Sequence, residues 1–393
     1  MAWTRELPSG RFQAIYRDAE GRTRSAGSYP RETQALGKAV AAEEKERANP
    51  TDFEAARITW GEWEPRWQAG RRVAASTKFK DEGRLETHVR PKWSGVKLRD
   101  ITRHSVQTWL RELEEDGKLS PSSCIKCYHL LSSSLKAAVA ARMLGSSPCV
   151  GVVLPKAGQQ VDRFLADWEL AELKYELGTR DELTVDVLVG TGMRLGEMLG
   201  LHWESVDLAH NTIAITRSWD PIGQQIKPTK SYQNRTVPIS KTLAKALAKE
   251  LATRGPGRPS PVAYDRKCAA HTGLVFPGFR GVGGVKGRPM DGDNFRHRWE
   301  QAHERANARL KAAEKSQIPK ARVHDLRHTY ASRLVQAGVP LAAVKDLLGH
   351  ASIVTTQRYA HLANTQWDAV RAVLGDTGTP TGYVPRAADR AAK

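Results

Sequence analysis

The chain has 393 residues, with 61 Lys and Arg against 43 Asp and Glu, which gives a formal net charge of +18. This length predicts two or three domains, and a hydrophobic content of 40% with 26% charged residues excludes a largely disordered chain. Because no apolar run approaches the ~20 residues that a bilayer-spanning helix needs, and the first ten residues do not resemble a signal peptide, we expect neither a membrane protein nor a secreted precursor.

The positive charge is concentrated in one part of the chain. Residues 216–320 contain 21 Lys and Arg but only 8 Asp and Glu. A local excess of this size predicts a polyanionic partner, which charge alone leaves open between a nucleic acid and an anionic membrane surface.

The four cysteines are too few for a disulfide framework in a chain of this length. Cys124 and Cys127 have the spacing of half a zinc site, but no second pair of ligands follows at finger-like spacing. Because the pair falls within a predicted helix, we interpret both side chains as reduced thiols that pack on a helix face, and we expect no metal site.

The first fifty residues predict a small β-rich module. Three short strands, Trp3–Leu7, Arg11–Arg17 and Arg22–Tyr29, are separated by turn-type clusters, and a helix is expected over Glu32–Ala48. A three-stranded sheet backed by one helix therefore accounts for residues 1–50. The alternative is an N-terminal extension without a separate role.

Residues 53–150 predict a helical domain. The expected helices are Ile58–Gln68, Ala74–Val89 (ended by Pro91), Ser105–Glu115 and Ser122–Met143. Basic side chains are frequent in its first half, where they contact DNA or lie on solvated helix faces.

After a linker at 151–162, a third region mixes helices with short strands. Helices are expected over Asp167–Leu177, Glu182–Val189, Lys241–Leu251 and Pro340–Leu348, strands over Ile213–Trp219 and Arg235–Ile239, and a loop over Arg254–Pro261.

Polar motifs scattered along this third region contain the residue types that phosphoryl transfer to a tyrosine needs. Arginine forks match the non-bridging oxygens of a phosphate, an attacking tyrosine needs a proton acceptor, and the departing sugar oxygen needs a proton donor. In chain order the motifs are TGMRLGE with Arg194, PTKS with Lys230, HDLRHT with His324 and Arg327, LLGH with His350, and QRYAH with Tyr359.

This ordered set resembles the Arg-Lys-His-Arg-His-Tyr signature of the tyrosine recombinase (phage integrase) family, and the spacing of the six residues also agrees. The resemblance implies a multidomain α+β fold with a mainly α catalytic domain and small antiparallel β elements. It divides the chain into an arm-type DNA-binding domain (1–50), a helical core-binding domain (53–150), a linker (151–162), the catalytic domain (163–374) and a flexible tail (375–393).

The resemblance also implies a role for each residue of the set. Tyr359 attacks the scissile phosphate to give a 3′-phosphotyrosyl link, and Arg194 and Arg327 clamp that phosphate. His324 is the general acid/base near the attacking oxygen, Lys230 is the acid for the leaving 5′-oxygen, and His350 hydrogen-bonds a non-bridging oxygen. The link conserves the phosphodiester energy, so no cofactor, ATP or metal is expected.

Three neighbouring residues have competing interpretations. Glu197 either orients Arg194 from behind or forms an ordinary surface ion pair. Lys227 is an alternative to Lys230 as the lysine of the signature. We prefer Lys230 because it lies five residues before Arg235. His328 adjoins the motif, but we assign it to a different helix face and interpret it as structural.

The expected function is site-specific integration of a temperate phage or integrative element through a Holliday junction. Double-stranded attachment-site DNA, a homotetramer, a host DNA-bending protein and an excisionase are the implied partners, and the bacterial cytoplasm, at the nucleoid, is the expected location. Alternatives are a chromosome or plasmid dimer-resolving recombinase and a catalytically silent DNA-binding regulator. A type IB topoisomerase shares the chemistry but not the domain layout.

Candidate DNA contacts outside the catalytic set are basic residues of the first two domains. They are Arg11, Arg17, Arg22, Arg24, Arg71, Arg72, Lys78 and Lys80. A short amphipathic helix is expected over Trp367–Leu374, docked on a neighbouring protomer or on its own chain.

Overall fold

The computed structural model describes residues 2–18, 21–48, 57–156, 158, 162–229, 234–278 and 287–362, with backbone only at 45–48. The chain divides into two compact units, Met1–Gln160 and Val161–Lys393. Within the described ranges no helix is long and apolar enough to cross a membrane.

The first unit begins with an antiparallel three-stranded sheet covered by a helix. Its elements are β1 (Ala2–Glu6), β2 (Phe12–Arg17), β3 (Thr23–Tyr29) and α1 (Glu32–Ala48), in the sheet order β1-β2-β3. Ala14 of β2 packs with Ala35 and Ala39 of α1, and all three are fully buried. Small side chains at this contact let the helix lie close to the sheet.

The rest of the first unit is helical, as the apolar periodicity predicts. It contains α2 (Trp60–Gly70), α3 (Ala75–Arg84), α4 (Arg90–Trp93), α5 (Arg103–Glu115) and α6 (Pro121–Ala140). Tryptophans from several of these helices form the core, and two of them bond to Ser134 of α6: Trp60 Nε1 donates to its hydroxyl at 2.8 Å and Trp63 Nε1 to its carbonyl at 2.9 Å. Buried indole N–H groups are thereby satisfied.

The predicted helix end before Pro91 is wrong. A π-helical turn over Leu85–Val89 leads directly into α4, and the Arg90 N–H donates to the Leu85 carbonyl, five residues back. Pro91 then occupies the first turn of α4, where the lack of an N–H costs little.

Both cysteines of the CxxC pair lie on α6 and are buried as free thiols. Burial raises the pKa of Cys127 to about 11, so this thiol stays protonated at neutral pH. Packing in the helical core is the role we predicted for them. The described residues contain no cluster of His, Cys, Asp and Glu that could hold a metal ion.

The second unit contains eight helices among its described residues. They are α7 (Asp167–Tyr175), α8 (Thr179–Thr191), α9 (Leu195–Leu199), α10 (Lys241–Arg254), α11 (Gly292–Ala312), α12 (Asp325–Gln336), α13 (Leu341–Leu348) and α14 (Val354–Gln357). The 21-residue α11 was not predicted, although its buried side chains recur at helical spacing from Phe295 and Trp299 to Leu310. Trp299 and Phe295 belong to the main core of this unit.

Six short strands form two small sheets beside these helices. The strands are β4 (Val206–Asp207), β5 (Thr212–Ile215), β6 (Arg217–Asp220), β7 (Gln225–Pro228), β8 (Arg235–Pro238) and β9 (Ala263–Tyr264), in the orders β4-β5-β8 and β6-β7-β9. The single strand predicted over Ile213–Trp219 is wrong, because the chain leaves one sheet after Ile215 and enters the other at Arg217. The pairing of β7 with β9 is parallel, which departs from the antiparallel elements expected.

Candidate active site

Arg194 lies at the corner between α8 and α9, where Glu197 holds both its backbone and its side chain. The Arg194 N–H donates to Glu197 Oε2 at 3.0 Å, and Arg194 Nη1 donates to Glu197 Oε1 at 2.8 Å. The Glu197 side chain is 2% exposed whereas that of Arg194 is 32% exposed. Glu197 therefore orients the arginine from behind and is not a surface ion pair.

Glu197 also binds a second arginine, which comes from β8. Arg235 Nη2 donates to Glu197 Oε2 at 2.6 Å, and Arg235 Nε donates to the Leu347 carbonyl at 2.8 Å. Burial opposes ionisation of Glu197, but the hydrogen bond and charge of Arg235, with help from Arg194, hold its pKa below the usual value. The carboxylate thus joins the α9 corner to the strand that follows Lys230.

Arg327 of α12 ties two parts of the site together through the backbone. Its Nη1 donates to the Gly192 carbonyl at 2.6 Å, and its Nη2 donates to the Leu348 carbonyl at 2.6 Å. Burial, followed by the charge of Arg194, lowers the pKa of Arg327 to about 9. A cluster of arginines around one carboxylate keeps a net positive charge, which favours an anion such as phosphate.

Gly192 is required at the corner by its conformation. Its φ of +63° lies in the left-handed region, and a Cβ there would approach Tyr330 Cδ1 to 2.3 Å. The TGMR segment of the motif is therefore constrained by shape as well as by the chemistry of Arg194.

His350 follows α13 and is oriented by Thr356. The Nδ1 atom of His350 lies 2.9 Å from the Thr356 hydroxyl, and both residues are buried. If the hydroxyl donates to Nδ1, Nε2 carries the ring proton and can donate to an anion. Burial, followed by the charges of Arg327 and Arg194, lowers the pKa of His350 to about 4, so the ring is neutral at pH 7.

Tyr359 lies just beyond α14 and is almost completely buried, at 1% exposure. Its hydroxyl lies 2.6 Å from His328 Nδ1, and its ring packs near Phe164 with 6.5 Å between centroids. Burial raises the pKa of Tyr359 to about 12, so the free hydroxyl does not ionise at neutral pH.

His328 therefore contacts the predicted nucleophile, and its assignment to a helix face away from the site is wrong. His324 and His328 are four residues apart at the start of α12, so their rings share a face and meet edge to face at 4.9 Å between centroids. The i, i+4 spacing was the signal that the sequence interpretation overlooked. His324 itself is exposed, and its pKa is lowered by the burial of part of the ring and by His328 and Arg327.

Arg327 connects the predicted catalytic set electrostatically. Its charge acts on the pKa values of His324, His350 and Tyr359, and the charge of Arg194 acts on Arg327. Five of the six predicted residues thus lie in one neighbourhood. Arg235, Thr356 and His328 belong to the same site but were not predicted as part of it.

Lys230, the sixth residue, lies outside the described residues. Its competitor Lys227 is described and forms an ion pair with Asp220, with 2.6 Å between Nζ and Oδ2. This pairing holds the Lys227 ammonium at the β6–β7 hairpin.

The candidate DNA-binding residues of the first unit differ in their surroundings. Arg71 is half-buried, pairs with Asp81 at 2.6 Å and lies over the Trp67 ring. Arg24 is exposed and pairs with Asp18 at 2.9 Å. The remaining six are also exposed: Arg11, Arg17, Arg22, Arg72, Lys78 and Lys80. The predicted helix over Trp367–Leu374 and the tail fall outside the described residues.

A buried tyrosine hydroxyl beside a histidine, next to a cluster of arginines, fits the class of enzymes that form a covalent phosphotyrosyl link through their own tyrosine. Residues 158–366 match the model of the phage integrase family. The chain therefore belongs to the phage integrase family and is a tyrosine recombinase, an enzyme that breaks and rejoins DNA strands at specific sites.

Individual relatives agree with this assignment. A tyrosine recombinase XerC-like protein of Caldanaerobacter subterraneus subsp. tengcongensis is 28% identical over 315 residues, covering 74% of this chain and 75% of the relative. A Tn1549 transposon integrase in complex with circular intermediate DNA superposes with a TM-score of 0.65 at 18% identity, covering 81% of this chain and 99% of that chain.

Lambda integrase has the same fold in two solved forms. A tetramer bound to a Holliday junction superposes with a TM-score of 0.57 at 16% identity, covering 89% of this chain and 95% of that one. A shorter form, residues 75–356, superposes with a TM-score of 0.56 at 17% identity and covers 76% of this chain and 97% of that one.

Proposed function

We propose that this tyrosine recombinase is the integrase of a temperate phage or another integrative element. The observation that carries the proposal is the N-terminal module, a three-stranded sheet covered by α1, which precedes the helical and catalytic parts. The longer lambda integrase chain covers 89% of this chain and the shorter one, which starts at residue 75, covers 76%. The difference supports an N-terminal module shared with lambda integrase, and we assign it to binding of arm-type DNA sites.

The proposed chemistry uses the residues of the arginine cluster and its surroundings. Tyr359 attacks the scissile phosphate, and Arg194 and Arg327 stabilise the negative charge that builds on the non-bridging oxygens. His350 donates a hydrogen bond to one of these oxygens, and Lys230 protonates the leaving 5′-oxygen. His324, which is exposed, is the general acid/base assigned to the attacking oxygen by the family signature.

The partner in this proposal is double-stranded DNA, and the assembly is a homotetramer that exchanges strands pairwise through a Holliday junction. Support comes from the +18 charge of the chain and from the lambda integrase tetramer seen on such a junction. A host DNA-bending protein and an excisionase are proposed on the strength of the arm-binding module alone.

The experiment that tests the proposed function traps the covalent intermediate. Double-stranded DNA from the mapped element–chromosome junction is incubated with the wild type and with Tyr359→Phe, and adducts are separated on a denaturing gel. We expect adducts from the wild type and none from the variant, which retains the ring but lacks the nucleophile. Adducts from Tyr359→Phe exclude Tyr359 as the nucleophile. A wild type that binds the DNA but never nicks it favours the silent regulator.

A dimer-resolving recombinase is the second candidate, because the XerC-like relative is 28% identical over most of its length. The two functions differ in their need for arm sites. We expect deletion of residues 1–50 to abolish integration between attachment sites while leaving cleavage of an isolated core site. Undiminished integration by the truncated chain favours the dimer-resolving function.

A further inference from the structure

As Tyr359 attacks, its hydroxyl must give its proton to an acceptor. The structure does not place the assigned acceptor, His324, in hydrogen-bond contact with that hydroxyl. Among the described residues, the side chain hydrogen-bonded to the Tyr359 hydroxyl is His328, with 2.6 Å between the oxygen and Nδ1. The ring of His328 is buried, so water does not compete for this bond. His324 makes no hydrogen bond to Tyr359 within the described chain; it contacts the His328 ring.

A carboxylate faces the other nitrogen of His328. Asp162 Oδ1 lies 3.9 Å from His328 Nε2, within ion-pair distance. The other oxygen, Asp162 Oδ2, forms an ion pair with Arg358 Nε at 2.9 Å. Asp162 Oδ1 is buried and has no hydrogen-bond partner among the described residues. A buried carboxylate oxygen left without a hydrogen bond is costly unless a positive charge develops beside it.

These contacts align three side chains in the order Asp162, His328, Tyr359. An Nδ1 that accepts from the tyrosine leaves the ring proton on Nε2, the nitrogen that faces the carboxylate 3.9 Å away, so the same tautomer suits both neighbours. The same order of carboxylate, imidazole and hydroxyl activates nucleophiles in unrelated enzymes.

We propose that His328 is a catalytic residue that positions the Tyr359 hydroxyl and accepts its proton during DNA cleavage, with Asp162 as the counter-charge. The inference rests on the proposed function, in which Tyr359 is the nucleophile. His324 is then released from the acid/base role at the attacking oxygen.

The step balances as follows. The bond from Tyr359 Oη to phosphorus forms as the bond from phosphorus to the 5′-oxygen breaks. The phenol proton moves to His328 Nδ1, which gives an imidazolium beside the Asp162 carboxylate. The 5′-oxygen takes its proton from the general acid, Lys230 in the proposed assignment. When the strand is rejoined, His328 returns the proton to Tyr359.

The charge state of His328 suits this role. Burial lowers the pKa of His328 against the opposing charge of Asp162, so the ring is neutral and able to accept a proton at pH 7. The other ionisable groups around it are His324, Arg322 and Asp325 from α12 and its start, and Arg358 and Tyr359 from the segment after α14.

The test compares His328→Asn with the wild type in single-turnover cleavage of the mapped junction DNA. The asparagine oxygen can occupy the place of Nδ1 and keep the hydrogen bond to Tyr359, but it cannot take the proton. We expect cleavage to slow by about 100-fold or more. The rate of the variant should rise about tenfold per pH unit between pH 7 and 9, because the phenol must ionise unaided, while the wild-type rate stays nearly constant.

A second substrate separates proton acceptance from help to the leaving group. DNA with sulfur in place of the 5′-bridging oxygen at the scissile phosphate has a leaving group that needs no acid. We expect this DNA to restore cleavage by Lys230→Ala but not by His328→Asn. Restored cleavage by His328→Asn would place His328 at the leaving group and overturn the proposal.

Matched variants complete the design. His361→Gln changes an exposed histidine two residues from Tyr359 and should cleave at the wild-type rate. Asp162→Asn should slow cleavage and shift the pH profile in the same direction as His328→Asn. Should His328→Asn fail a thermal unfolding check, His328→Gln replaces it.

Three further outcomes, all measured on the unmodified DNA, contradict the proposal. Cleavage by His328→Asn within twofold of the wild type shows that the proton goes elsewhere. Cleavage by His328→Asn that is faster than by the wild type shows that the hydrogen bond from His328 to Tyr359 restrains the tyrosine. Slow cleavage with an unchanged pH profile shows that His328 only shapes the pocket. Adduct formation by Tyr359→Phe, in contrast, overturns the proposed function itself.

Discussion

Glu197 and Arg235, 38 residues apart in sequence, form a buried ion pair with 2.6 Å between Oε2 and Nη2. The same carboxylate holds Arg194, which is partly exposed. One buried anion therefore holds two cations of the site, and we expect its removal to affect stability and catalysis together.

We expect Glu197→Gln to lower the free energy of unfolding by about 3 kcal/mol, because it leaves the buried Arg235 without a counter-charge. Cleavage by the folded fraction should slow by at least tenfold, since Arg194 loses its support. Urea unfolding and single-turnover cleavage measure the two effects. Glu250→Gln, which breaks the helical i, i+4 pair with Arg254 on α10, is the control and should cost about 0.5 kcal/mol or less. A Glu197→Gln chain as stable and active as this control contradicts the assignment.

Gly192→Ala tests the shape of the Arg194 corner. The new Cβ would meet the Tyr330 ring at 2.3 Å with φ at +63°, so we expect a loss of about 2 kcal/mol or more in unfolding free energy. Displacement of the Gly192 carbonyl should also disturb Arg327 and slow cleavage. Gly37→Ala is the matched control, because a Cβ at this α1 position meets nothing within 4 Å and should stabilise the helix by about 0.5–1 kcal/mol. Equal stabilities of the two variants would show that the corner can relax.

The pKa of His350 predicts a loss of stability in acid. Its pKa in the folded chain is about 4 whereas an unfolded histidine titrates near 6.5, so between these values the unfolded chain binds a proton that the native ring does not. Stability is therefore greatest above pH ~6.5 and falls as the pH drops toward ~4, with a contribution on the order of 2 kcal/mol from this residue. Urea unfolding at pH 7 and pH 4.5 should show a smaller decrease for His350→Gln than for the wild type. Identical decreases would mean that His350 is protonated in the native state.

Lys241, Lys245 and Lys249 project from α10 at four-residue intervals and are all exposed. We expect the triple Lys→Gln variant to bind DNA more weakly, and the slope of log K against log salt to fall by about 0.9 for each phosphate that the variant no longer neutralises. Cleavage at saturating DNA should be unchanged, because the site lies elsewhere. The triple Lys→Arg variant keeps the charge and should bind like the wild type. Unchanged binding by the glutamine variant means that this face of α10 does not meet DNA.

Local patterns predicted much of the fold. Turn clusters and alternation located the three N-terminal strands to within one or two residues, and α1 has the predicted ends because Pro30 and Pro50 flank an uninterrupted helical composition. The errors came where neighbouring residues decide the outcome. The π turn before Pro91 and the division of the predicted strand at residues 213–219 between two sheets depend on packing that no local pattern encodes.

The sequence by itself determined the chemistry of this protein, because Arg194, Lys230, His324, Arg327, His350 and Tyr359 carry functional groups whose order and spacing are visible without coordinates. Only the tertiary structure decided which other side chains hydrogen-bond to the residues of the site. The Glu197–Arg235 pair, the Thr356 hydroxyl on His350 and the His328 ring on the Tyr359 hydroxyl join residues between 6 and 38 positions apart in sequence. Hydrogen bonds of this kind depend on distances of about 3 Å, which the packing of α9, α12 and β8 sets and which sequence spacing does not.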